Sequence, residues 1–456
     1  MFVSGNQSRM KRTALLLAAL ITVCLPQAIA TAATNEGSKC SVPGKKSVLK
    51  QKTLVCTRQG KRLVWKRIVI AKPTPVVFPK STLSNTSLFS NHESCKIADG
   101  DSALSNMTAG FPIPFGRIDL TKGARIKVLG VDFADKLGST SSPKNASESK
   151  TSAVEKFWKS QSTVPLSFDW SWNSDWLHLP ETIKSYGLGG SFFEGKFNPT
   201  QYFGFVQNII ALADPLTDFT GTNFLFITFP PGITNDEIGT FLVHTQGSYS
   251  TGEGTIFNLI VAGGDYANAD TYIHEFGHAL GLTDIRDTQD VGNQNSDGMF
   301  YDIMNNPRYP ELLVWHRFLL GFLEDQQIHC ITTQESSTHL LEPVAANTRG
   351  VKGLIIPISN TEAIVVELRR SIGFDTALSN RNDLLGVVVY TLDTKIPYRR
   401  SPVRVQKILK NNEDITLGGF NISVIETGPN GDVVKIEKSR SVVSSLNQQN
   451  ENNGGR

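Results

Sequence analysis

Residues 272–284 read YIHEFGHALGLTD. His274 and His278 stand four apart, with Glu275 directly after the first. Four helical residues turn about 400°, so both imidazoles share one face and can offer nitrogen to a single divalent ion. Glu275 lies beside that face, where a carboxylate can take a proton from water. Gly281 permits the left-handed backbone that ends a helix. A chain that doubles back there brings Asp284 toward the histidines as a third ligand. That set leaves a fourth position for water, as hydrolytic Zn2+ requires. The competing reading is two ordinary histidines on an ordinary helix, but HExxHxxGxxD is much rarer by chance than HExxH alone.

The elements around this stretch are legible too. Ile273, Phe276, Ala279 and Leu280 supply an apolar side, and Asp270 is the expected helix cap. Upstream, Arg125–Phe133 reads as a buried strand, Pro199–Ala213 as an amphipathic helix, and Asn223–Phe229 and Thr255–Ala262 as apolar strands. Downstream, Leu312–Leu323 reads as a second amphipathic helix packed beneath the site, with His316 in a structural role. After residue 333 short β-type runs recur, and Pro429-Asn430-Gly431-Asp432 signals a hairpin. The expected class is α+β, with a β-rich, sandwich-like domain after the catalytic one.

The stretches HEFGHALGLTDIRDT and YDIMNNP and the helix carrying Trp315 and Arg317 together resemble the immune inhibitor A-like family of secreted bacterial metallopeptidases. VLGVDFADK, VEKFWKSQS and DFTGTNFLFITFP agree in order, and the resemblance spans Ile126 to Ile436. It implies a metzincin-like zinc endopeptidase. His274, His278 and Asp284 would bind Zn2+, Glu275 would be the catalytic base, and Met304 would form a methionine turn beneath the metal. The family often carries Leu-Pro-Asp-x-Tyr-Asp where this chain has Leu282-Thr283-Asp284-Ile285-Arg286-Asp287, so Asp287 or a later acid is the alternative third ligand. Tyr309, with Tyr301 as its rival, is the candidate hydrogen-bond donor to a substrate carbonyl. Asp287, Asp290, Asn293, Asn295 and Asp297 offer hard oxygens that suit Ca2+; a solvated polar loop is the competing reading.

The chain has 456 residues, 39% of them hydrophobic and 19% charged, with a net charge of +3. Such a balance does not mark a nucleic-acid binder as a whole. Met10-Lys11-Arg12, the apolar run Ala14–Val23 and the small-x-small sites ending at Ala30 and Ala32 read as a signal peptide over 1–32. The run is too short for a membrane span. Export to the extracellular space, with or without wall association, follows. Four cysteines then remain, Cys40, Cys56, Cys95 and Cys330, an even number that suggests two disulfides in an oxidising compartment. Three pairings are possible; Cys40–Cys56 is the natural local one, leaving Cys95–Cys330. Cys95 as a thiolate latch on the metal is the alternative.

Residues 33–69 form a small basic module, followed by a linker over 70–92, a peptidase domain over 93–332, the β-rich domain over 333–438 and a tail over 439–456 that is expected to be disordered. The span 37–72 carries eleven Lys or Arg and no Asp or Glu. It is too small to bury much core, so a disulfide staple is expected. Two roles compete for it: adhesion to an anionic wall polymer or acidic lipid, and a solubilising stalk. Protein or peptide substrates are the expected partners of the whole chain. A catalytically idle wall-binding protein and a zinc hydrolase of wall peptides are the alternatives.

Overall fold

The computed structural model describes residues 35–49, 52–67, 83–100, 106–138, 141–188, 198–238, 243–244, 248–261, 268–287, 300–305, 310–332, 336–397 and 400–439. The expected signal peptide, Tyr309, Asp290, Asn293, Asn295 and Asp297 lie outside the described residues. The chain divides into two units, Met1–Thr74 and Pro75–Arg456. Among the described residues no helix is long and apolar enough to cross a membrane.

In the first unit three strands, β1 (Lys46–Leu49), β2 (Lys52–Gln59) and β3 (Arg62–Arg67), form an antiparallel meander. Alternation puts Leu54, Cys56 and Trp65 on one face, where they pack with Cys40 and Leu63. The Cys40–Cys56 disulfide crosses this small core.

The second unit is mixed α/β. Its first sheet is built from β4 (Ala124–Phe133), β5 (Phe168–Trp172), β6 (Leu177–Leu179), β7 (Phe224–Thr228), β8 (Val243–His244) and β11 (Leu259–Val261), in the order β5-β4-β7-β11-β8 with β6 beside β4. All pairs are parallel except β8 with β11. Strands buried on both faces read as unbroken apolar runs, which is why Phe224–Thr228 is buried throughout. A hairpin of β9 (Tyr249–Thr251) and β10 (Gly254–Ile256) precedes β11. The single strand expected over 255–262 is thus two, because its first part pairs within the hairpin and its second joins the main sheet. The helices are α1 (Pro143–Ser160), α2 (Pro199–Ala213), the single turn α3 (Asn235–Ile238), α4 (Ala269–Ala279) and α5 (Val314–Leu319). Ser142 caps α1 and Asn198 caps α2, and each helix carries Pro at its first position.

Two further sheets form the β-rich region. One has five strands: β12 (Ile328–Cys330), β14 (Gly353–Pro357), β15 (Glu362–Arg369), β16 (Gly386–Asp393) and β17 (Val403–Leu409). The other has four: β13 (Ser336–Leu341), β18 (Asp414–Leu417), β19 (Phe420–Thr427) and β20 (Asp432–Lys438). Leu354, Ile356, Ile364, Val366, Val387 and Val389 meet Ile422, Val424, Val434 and Ile436 in one apolar layer between them. Residues one position away, Ile355, Val365, Val388 and Tyr390, point to the opposite face and join the core that holds α4 and the parallel sheet. A period of two therefore bonds the five-stranded sheet to both cores. The second half of the stretch read as linker is also packed. Phe89 is 1% exposed within the sandwich layer, and Ser84 and Thr338 exchange hydrogen bonds. The Cys95–Cys330 disulfide joins this N-terminal arm to β12.

Candidate metal centre

Local chemistry sets both ends of α4. Its cap is Asn268, whose side chain accepts from Thr271 N at 3.2 Å; Asp270, the expected cap, lies inside the first turn. At the other end Gly281 adopts φ +100°. Leu282 N donates to Gly277 O at 3.1 Å and Gly281 N to His278 O at 2.9 Å, the paired bonds of a Schellman motif. The chain reverses here, and Thr108 bridges the returning segment through Gly281 O and Thr283 N.

Two backbone carbonyls stand behind the histidines, one in the reversed segment and one in the later turn at 302–304. His274 Nδ1 lies 2.8 Å from Ile303 O, and His278 Nδ1 lies 2.8 Å from Leu282 O. A carbonyl only accepts, so each Nδ1 carries the proton and each Nε2 presents its lone pair. Both lone pairs face one carboxylate oxygen. Asp284 Oδ1 lies 3.3 Å from His274 Nε2 and 3.8 Å from His278 Nε2. Glu275 Oε2 lies 3.8 Å from His278 Nε2. These four side chains are 7–9% exposed.

Asp284 Oδ1 is buried and has no hydrogen-bond partner. The 3.3 Å approach of His274 is close enough for a hydrogen bond only if Nε2 also carries a proton. With Nδ1 already protonated, this contact is satisfied either by a second proton on Nε2 or by a metal cation between the two atoms. In the metal-free site the acid–base behaviour favours the proton. Burial alone would depress His274, but the Asp284 and Glu275 carboxylates outweigh it and raise it to about 9. Burial would raise Asp284, yet the two imidazoles and Arg286 hold it well below the usual carboxylate range. A field that favours an extra proton also favours a divalent ion. Ligands about 2.0–2.1 Å from a tetrahedral Zn2+ stand roughly 3.3–3.4 Å apart, close to the separations here. Among the described residues, His274, Glu275 and His278 form the one group of three metal-competent side chains with donor atoms all within 4.8 Å. Asp284, whose orphaned oxygen faces both imidazoles, fits as the third donor better than Glu275, which remains beside the set.

Asp287, the alternative ligand, turns away. Its Oδ2 lies 3.3 Å from Arg400 Nη1. Of the expected Ca2+ loop only Asp287 is described, and an arginine rather than open space faces it. Cys95 is bonded to Cys330, which removes the thiolate latch. Tyr301 is buried and its hydroxyl donates to Leu384 O at 2.8 Å, so it is occupied within the core.

Met304 is fully buried directly under α4: a Cβ on Gly277 would stand 2.3 Å from Met304 Sδ. Ile303 O, the acceptor for His274, belongs to the same turn. Asp302 pins that turn. Its Oδ1 accepts from Met304 N at 2.8 Å, and its Oδ2 accepts from Leu313 N at 2.7 Å and His316 Nδ1 at 2.8 Å. His316 is accordingly structural. The second helix is shorter than expected, Val314–Leu319: at its start Glu367 Oε2 accepts from Val314 N at 2.7 Å, and at its end Gly321 turns the chain at φ +69°.

Beneath lies a buried ionic cluster that the sequence reading missed. Arg369 donates to Tyr301 O at 2.8 Å, Leu312 O at 3.1 Å, Glu311 O at 3.2 Å, Glu367 Oε1 at 2.6 Å and Asp375 Oδ1 at 3.0 Å. Arg317 pairs with Glu311 at 2.5 Å. The signal was present in the charged pair ending the otherwise apolar run AIVVELR. Tyr202 was missed too; burial and the nearby Tyr249 and Glu275 hold its hydroxyl well above its ordinary value.

A scan of the chain against protein-family models finds no match, and a search of curated proteins finds none.

Proposed function

We propose that the chain is a secreted, zinc-dependent endopeptidase, metzincin-like around α4, that hydrolyses peptide bonds with Glu275 as proton carrier. The observation that carries this reading is the convergence of Asp284 Oδ1 on the Nε2 atoms of His274 and His278, whose Nδ1 atoms are each anchored on a backbone carbonyl. Two disulfides support an oxidising, exported setting.

His274, His278 and Asp284 would hold the ion, and Arg286 Nη2, 3.8 Å from Asp284 Oδ2, steadies the carboxylate from behind. Zinc, when bound, polarises a substrate carbonyl and acidifies water. Glu275 takes a proton from the attacking water and passes it to the leaving amine. Its burial limits competing solvent, so the proton stays on a defined path. The Ile303 carbonyl holds His274 at a fixed angle, and Met304 packs beneath α4 at Gly277.

The test measures metal content and casein cleavage of the purified mature protein, with and without chelator, beside Glu275→Gln. The parent should carry about one zinc and lose cleavage on chelation. Glu275→Gln should keep the metal and lose roughly 10²-fold or more in kcat/KM, the usual worth of positioned acid–base catalysis. A zinc-loaded parent that cleaves neither casein nor wall peptides sinks the enzyme reading and favours an idle scaffold.

A further inference from the structure

The first unit presents two chemically different faces. Its core occupies one: Leu54, Cys56 and Trp65, with Cys40 and Leu63. Registry assigns the other. Lys46 pairs with Val55, and Val55 with Lys66, so these three form a row across the sheet. Thr57 pairs with Val64, and Lys39 bridges to Val64 on the outer side. Gln59 pairs with Arg62. Directly opposed residues share a face. Lys39, Lys46, Arg62 and Lys66 therefore surround a half-buried floor of Val55, Thr57 and Val64, and all four cations are exposed.

We propose that this face binds a linear polyanion with repeating phosphodiester charges. Strand spacing puts Lys46 and Lys66 about 10 Å apart, and four residues along β3 put Arg62 and Lys66 about 13 Å apart. A small anion reaches one or two such groups; a chain of phosphates reaches all four. The one carboxylate between residues 35 and 67 is Glu36, whose Oε1 accepts from Arg67 N at 3.4 Å at the margin of the unit. Nothing acidic in that span neutralises the face. A membrane is the weaker fit. The single aromatic of residues 35–67, Trp65, is 9% exposed and sits in the core, so this unit offers no ring to insert among acyl chains. This inference is independent of the metal centre.

The full-length mature protein is titrated with poly(glycerol phosphate) over a range of salt concentrations, and separately with vesicles containing anionic phosphatidylglycerol. Two variants remove equal charge: Lys46→Ser with Lys66→Ser on the binding face, and Arg58→Ser with Arg67→Ser on the core side of the sheet. The parent should bind the polymer, with affinity falling steeply as salt rises. The Lys46/Lys66 variant should lose about tenfold and flatten the salt dependence by roughly one to two released counterions. The Arg58/Arg67 variant should lose less than threefold. The Cys40–Cys56 disulfide, mapped by mass spectrometry, serves as a fold control in both. The proposal is overturned by a parent that does not bind polymer, by vesicle binding without polymer binding, or by equal losses in the two variants.

Discussion

On the proposed reading, Asp284 is the residue on which metal retention turns. Replacing it with Asn keeps its size but removes the negative charge facing His274 and His278. Zinc affinity should fall by about 100-fold or more, measured by competition with a chromophoric chelator, whereas Asp287→Asn should leave it nearly unchanged because Asp287 is committed to Arg400. A different pair of histidines sets a pH dependence. His329 and His339 are buried with their Nδ1 atoms 2.8 Å apart, Phe89 stacks on His329, and His339 Nε2 meets Ser337 Oγ. Groups facing them include His92, with Asp325 near its outer nitrogen. Burial depresses His329 to about 4 and His339 to about 3. The folded protein thus stays unprotonated here while the unfolded chain takes up protons below about 6.5. Stability from this pair is present above that pH and is lost as pH falls toward 4. Melting temperature should drop between pH 7 and pH 5, and a His339→Gln variant should show a shallower drop.

At the scale of elements, the turn carrying Ile303 and Met304 is held from the sandwich side. Arg369 on β15 ties Tyr301 O and Leu312 O, on either side of that turn, to Glu367 and Asp375. Arg369→Met would strip two carboxylates and three carbonyls of their donor. Breaking a buried ion pair from one side costs about 3–5 kcal/mol, which chemical denaturation of the metal-free protein should register. Because the same turn supplies the acceptor for His274, zinc affinity should fall as well, by roughly 10-fold. A loss of stability with unchanged zinc affinity would separate the cluster from the metal centre.

At the scale of the whole molecule, the Cys95–Cys330 bond closes a loop of 235 residues. It fastens the N-terminal arm, including Phe89 in the sandwich layer, to the strand that opens the β-rich region. Chain-entropy arguments give a closure of that length about 5 kcal/mol. A Cys95→Ser/Cys330→Ser variant should therefore unfold at distinctly lower denaturant, with zinc content per folded molecule preserved, since neither sulfur touches the metal ligands. The five-stranded sheet contributes to two cores at once, so the β-rich region and the region holding α4 should unfold together rather than in separate steps.

Several features were legible from sequence because they are local. The spacing of His274, Glu275 and His278 needs only one helical turn, Gly281 needs only its own left-handed conformation, and Pro199–Ala213 carries its cap and first-turn proline beside it. The alternating runs of 353–438 likewise announced strands. What remained open depended on groups distant in the chain. Asp284 and Asp287 are equally acidic as letters, and only packing turns one to the imidazoles and the other to Arg400. The split of 254–261 between a hairpin and a sheet follows from which neighbours pair with each half. The arm around Phe89 looked like linker because its partners lie some 240 residues onward. Local torsions and periodicity are written in adjacent residues. The burial of Arg369, the orphaning of Asp284 Oδ1 and the joining of Cys95 to Cys330 exist only once tertiary contacts exclude water and bring remote side chains together.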